Sequence, residues 1–100
     1  MKLFSRMYVR GIPDRKVIPT MRKMKRNQSL SSIFCITLPV FQDGVLEIYE
    51  YEELEHPAIV IGITDSREDA EELVRLIVDE VYQNTGGFAV GAYLGLDPRR

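Results

Sequence analysis

A chain of 100 residues, 45% hydrophobic and 28% charged, has the make-up of one folded domain. Those proportions exclude a disordered tail, a collagen-like repeat and a disulfide scaffold. The net charge of −2 conceals an asymmetry: residues 1–30 hold nine Lys/Arg against one acid, a balance of +8, and residues 31–100 hold four against fourteen, a balance of −10. The chain is therefore read as a basic N-terminal segment, 1–30, docked on or partly mobile around an acidic α+β core, 31–100, within the same domain.

In chain order, Tyr8-Val9-Arg10-Gly11-Ile12 is expected to form a short edge strand and Pro13-Asp14 a turn. Pro19 to Asn27 can form two helical turns, with Met21 and Met24 on one side and Arg22, Lys23, Lys25 and Arg26 on the other. A piece that short must dock to be stable. Ile33 to Phe41 and Val45 to Tyr51 are β-branched and aromatic runs around Asp43-Gly44, which predicts a two-residue hairpin turn. That turn sets Phe41 opposite Leu46, Pro39 opposite Ile48, Leu38 opposite Tyr49 and Ile36 opposite Tyr51. Pro39 cannot donate to a ladder, so its strand should be an edge or be bulged there.

Ala58 to Thr64 is continuously apolar and reads as the central strand. A helix should start at Asp65 with Glu68 as a capping pair, or at Ser66 with Asp69. Ala70, Leu73, Val74, Ile77 and Val81 form its buried stripe, widened by Leu76, Val78 and Tyr82. Glu71 and Arg75 are spaced to pair on its surface, and Gly86-Gly87 supplies a left-handed cap. Phe88 to Leu94 reads as a last strand or a short helix. The expected fold is thus a single small α+β domain: a short N-terminal strand and helix, a hairpin, a third strand, one long amphipathic helix and a final strand.

Chemistry is narrowly bounded. One cysteine, Cys35, allows no intrachain disulfide, and a reducing, cytoplasmic setting is expected. One histidine, His56, cannot make a zinc site with Cys35 alone. Neither a Gly-rich phosphate loop nor a Gly-x-Ser-x-Gly elbow is present. No catalytic residue, cofactor or metal is assigned, and the balance leans against an enzyme. The longest nearly unbroken apolar run, Ile33 to Phe41, is nine residues, about half of a membrane span, so no membrane partner is expected. Arg6 and Arg10 interrupt the apolar residues near the start, so no signal-peptide core is expected.

Three functions follow. Apolar residues fall on both faces of the expected sheet, and only one long helix is available to cover them. The leading reading is a protein-interaction or self-assembly module, a homo-oligomer or the binder of a protein partner, using an incompletely covered sheet face. Its candidate contacts are Tyr49, Tyr51, Phe41, Leu46 and Ile48. The alternative is a nucleic-acid binder using Arg15, Lys16, Arg22, Lys23, Lys25 and Arg26. It is not favoured, because the isoelectric point is near 5.4 and no stacking aromatic lies between Arg15 and Arg26. Those cations are first read as docking the segment onto the acidic part. The third reading is a small ligand-binding domain or enzyme with a pocket at the Thr64–Ser66 junction or at Gly86-Gly87.

Overall fold

The computed structural model describes residues 2–38, 46–54 and 58–96. Its elements run β1 (Lys2–Arg10), α1 (Asp14–Lys25), β2 (Phe34–Leu38), β3 (Glu47–Glu50), a 3₁₀ turn (Tyr51–Glu53), β4 (Ile59–Thr64), α2 (Arg67–Thr85) and α3 (Val90–Tyr93). The four strands form one mixed sheet in the order β1-β4-β2-β3. β4 is parallel to β1, β2 is antiparallel to β4, and β3 is antiparallel to β2. This is a small α+β domain. The run Ala58–Thr64 does supply the central strand, and Val60, Ile61, Ile63 and Thr64 are buried.

α2 follows the sequence closely. Ser66 is its N-cap, its side chain accepting from the Asp69 N–H at 3.1 Å. Ala70, Leu73, Ile77 and Val81 are buried, and Gly86 ends the helix in the left-handed region at φ 74°. Arg75 forks onto Glu72 rather than Glu71. Three residues of separation on the helix bring the two planar groups face to face as well as four would. Leu76 and Tyr82 stand exposed, so they do not widen the buried stripe.

The N-terminal third is more ordered than its pattern implies. β1 starts six residues earlier than expected and ends at Arg10. α1 starts at Asp14 and continues through Pro19, whose missing N–H leaves the Arg15 carbonyl without its helical donor. It ends at Lys25, two residues short of the expected Asn27, which adopts a left-handed φ of 53°, its N–H reaching the Met24 carbonyl at 3.1 Å while the Gln28 N–H reaches the Lys23 carbonyl at 2.9 Å. The final segment is the short helix α3 and not a strand; Gly91 and Gly95 suit a turn of helix closed at Leu96 by a bond to the Gly91 carbonyl. No parallel crossover from β4 to that segment is therefore formed.

The hairpin register also differs. Phe34 pairs with Glu50, Cys35 with Tyr49, Ile36 with Ile48 and Thr37 with Glu47. This is three residues away from the register of a two-residue turn, and an odd shift moves each side chain on β3 to the other face. The observed pairing puts Ile36 and Ile48 together against α2, whereas the expected one sets Ile36 across from Tyr51. Asp43-Gly44 and Pro39 lie outside the described residues. β2 is an interior strand and ends at Leu38; its irregularity against β4 falls between Ile36 and Thr37. There Ile61 belongs to the core beneath α2, and a Cβ on Gly62 would point into the same core, 3.1 Å from Ile36 and 3.3 Å from Leu73.

The sheet has a core on each side. Phe4, Ile36, Leu38 and Ile61 pack with Leu73, Ile77 and Val81 of α2 and with Val90 and Leu94 of the α3 region. On the other side Ile12, Met24, Cys35, Tyr51, Val60 and Ile63 form a second core, with Val17, Met21, Leu30, Ile33 and Leu54 packed against it. Both faces are covered from within the chain, one by α2 and α3, the other by α1 and the Tyr51–Glu53 connection. The expectation of an incompletely covered face is not met among the described residues. The physical reason is that α1 is twelve residues long and reaches the sheet through flexible methionines.

Candidate functional site

The aromatic and apolar residues singled out on the hairpin do not form one surface. Tyr51 leaves the ladder, is buried in the core beneath α1, and donates its backbone N–H to the Ile33 carbonyl at 2.8 Å. Burial pushes its hydroxyl pKa up. Leu46 and Ile48 pack on the opposite core, beneath α2. Tyr49, exposed on the edge strand, donates its hydroxyl to Glu47. Phe41 lies outside the described residues. Ile48 and Tyr49 are neighbours on β3, so the pleat itself turns them to opposite faces, and Tyr51 lies past the end of the strand.

The six cations of the basic segment are brought together. Arg15, Lys16, Arg22, Lys23, Lys25 and Arg26 are all exposed on or just beyond α1. Met21 and Met24 point inward, and Arg15, Arg22 and Arg26 recur at helical spacing along the opposite side. Among the described residues none of the six makes an ion pair. Among the described residues they form no ion pair with Glu50 or Glu52 of the acidic part. Glu52 instead accepts from the Ser29 hydroxyl at 2.7 Å and the Leu30 N–H at 3.0 Å, which tie down the chain leaving α1.

An aromatic patch that the sequence reading did not single out lies on the outer side of α2. Tyr82 and Phe88 stack with ring centroids 5.3 Å apart, although they are 49% and 58% exposed. With Arg75, Val78 and Asp79 they line a shallow groove of about 270 Å³. Gly86-Gly87 lets the chain turn back after the helix so that Phe88 lands on Tyr82. The available signal was Tyr82 and Val78 lying off the main stripe, followed by a phenylalanine just past a glycine cap.

A deeper cavity, about 380 Å³, lies between β1, α2 and α3 and is lined by Phe4, Arg6, Tyr8, Glu80, Tyr93 and Leu94. The Tyr8 hydroxyl donates to Glu80 at 2.8 Å, and burial followed by that bond raises its pKa. Hydrogen bonding to Glu80 raises Tyr93 as well. The Arg6 guanidinium sits over the Phe4 ring, 5.4 Å from its centroid. At the Thr64–Ser66 junction the Thr64 hydroxyl donates to the Ser66 carbonyl at 2.8 Å.

Among the described residues no helix is long and apolar enough to cross a membrane. No protein-family model matches this chain, and neither a curated protein nor a solved structure matches it.

Proposed function

We propose that the protein is an interaction module that pairs with a second copy of itself through the outer side of α2. The observation that carries this reading is the Tyr82–Phe88 stack, two large aromatic rings left in water on a domain whose sheet is covered on both faces. Aromatic residues and arginine dominate the energetic centres of protein interfaces. The charges choose the occupant. Arg75 and Asp79 stand one helical turn apart and flank the same groove. A two-fold axis crossing α2 between them would set Arg75, which holds Glu72 on its own helix, beside the partner's Asp79 as well and repeat that contact on the other side, as an isologous interface requires. The reading takes the protein as cytoplasmic, in keeping with a single buried thiol.

Light scattering coupled to size-exclusion chromatography tests this. The wild-type chain should elute as a dimer, and a Tyr82→Ala, Phe88→Ala variant should elute as a monomer with an unchanged circular dichroism spectrum. Each ring at such a centre contributes about 2 kcal/mol or more. A monomeric wild type over the accessible concentration range, or a variant that still dimerises, refutes the proposal.

A second reading rests on the six exposed cations of the basic segment, which favour contact with a nucleic-acid backbone. It predicts weak duplex binding that falls steeply with salt and is lost on neutralising Arg15, Lys16, Arg22 and Arg26. Fluorescence anisotropy with a labelled DNA duplex measures it. No binding, or an affinity unchanged between low and moderate salt, ends this reading.

A further inference from the structure

We infer that the cavity between β1 and α2 binds a small zwitterion, an α-amino acid with an apolar side chain. Two opposite charges line it, Arg6 from the edge strand and Glu80 from the helix. They form no ion pair with each other. Each is held by its own neighbours: the guanidinium rests on the Phe4 ring, and the carboxylate receives the Tyr8 hydroxyl at 2.8 Å and the Tyr93 hydroxyl. A ligand carrying both an ammonium and a carboxylate completes what the two side chains leave open. Its ammonium goes to the lone pairs of Glu80 that the two tyrosine hydroxyls leave over, and its carboxylate goes to the planar donor fork of Arg6. Phe4, Leu94 and the ring of Tyr93 supply apolar wall for the side chain. The volume of about 380 Å³ falls at the lower end of small-molecule sites, which span about 300–1,000 Å³.

The backbone supports the same conclusion. Leu3 pairs with Val60 and Tyr8 with Gly62, so the four residues from Phe4 to Met7 stand across from Ile61 alone. That excess takes Arg6 out of the regular ladder with β4 at the cavity. Phe4, Arg6 and Tyr8 alternate along β1 and line the cavity together, and bulges on edge strands are concentrated beside binding and active sites. The Phe4 and Tyr8 rings remain stacked at 6.4 Å on either side of Arg6 in the sequence, which fixes both ends of the bulged segment.

The test is a titration of the intact, isotope-labelled protein with L-leucine and L-phenylalanine, followed by backbone amide shifts and calorimetry. Phenylethylamine and 3-phenylpropionate, which each carry one of the two charges, serve as comparison ligands. The expected result is saturable shifts at Phe4 to Tyr8 and at Tyr93, with each singly charged compound about tenfold weaker or worse. Glu80→Gln and Arg6→Ala should each weaken the amino acid by about tenfold, while the Tyr82→Ala, Phe88→Ala variant should bind it as wild type does. The last comparison separates this site from self-association. No saturable shift at millimolar amino acid overturns the inference, as does equal binding of a singly charged compound or undiminished binding by both Glu80→Gln and Arg6→Ala in their folded state.

Discussion

Met24→Ala should lower the unfolding free energy by about 2–5 kcal/mol, the range for truncating a buried large aliphatic side chain. Met24 is fully buried at the last full turn of α1, among Ile12, Cys35, Tyr51, Val60 and Ile63. Its neighbours come from two strands and two connections, so the site cannot collapse around an alanine without moving several elements. A domain of this size has about 5–15 kcal/mol to lose, and each kcal/mol is worth about 4–8 °C in the melting midpoint. Urea unfolding followed by circular dichroism measures the loss.

The charge contrast gives that result its meaning. The variant Arg22→Gln, Lys23→Gln, Lys25→Gln, Arg26→Gln removes four exposed cations that have no ion-pair partner among the described residues. Exposed substitutions typically stay within about ±0.5 kcal/mol each, and the lost complement to the helix dipole adds a similar small amount. The four together should therefore cost less than Met24→Ala alone. If the order were reversed, attraction between the basic and acidic parts of the chain, and not apolar packing, would hold α1 to the sheet.

How legible these features were in the sequence depended on whether one period governed the segment. α2 was readable because a single 3.6-residue stripe runs from Ala70 to Val81 between a Ser66 cap and a Gly86 stop. β4 was readable because a run buried on both faces needs no alternation. β1 was not: Leu3, Met7 and Val9 face one core and Phe4 and Tyr8 the other by ordinary alternation, but because both faces carry apolar residues and Lys2, Ser5 and Arg6 interrupt them, neither a one-sided pattern nor a continuous apolar run marks the strand. Arg6, which breaks the apolar run, also lines the cavity, so strand and site were hidden by one cause. The hairpin misled for a different reason. Asp43-Gly44 is a strong local signal, but the register is decided by Ile36 and Ile48 meeting under α2 and by Tyr51 being drawn into the other core. Tertiary burial of two isoleucines and a tyrosine outweighs the preference of one turn.

Alkaline pH should destabilise the protein through the core beneath α1. Cys35 is fully buried there, and desolvation pushes its thiol from an ordinary value of 9.0 up to about 12. The folded state thus keeps the proton that the unfolded chain gives up. A group whose pKa is raised by folding contributes its full stability below the unfolded value and loses it as pH climbs toward the folded one. The contribution should fall between pH 9 and 12 with a limiting slope of about 1.4 kcal/mol per pH unit, roughly 4 kcal/mol over the window. Tyr51, in the same core, is also raised by burial and then by Cys35, so its loss follows in the same direction. Unfolding free energies of wild type and Cys35→Ala, compared at several pH values above 8.5, isolate the thiol from every lysine and tyrosine they share. The wild-type curve should drop more steeply, and parallel curves would refute the assignment. The same thiol then reports on α1. Because Met24 and Cys35 share one cluster, Met24→Ala should speed reaction of Cys35 with a thiol reagent in native conditions. Acceleration beyond the measured drop in global stability means that α1 lifts from the sheet by itself; acceleration equal to it means that the helix and the sheet open as one unit.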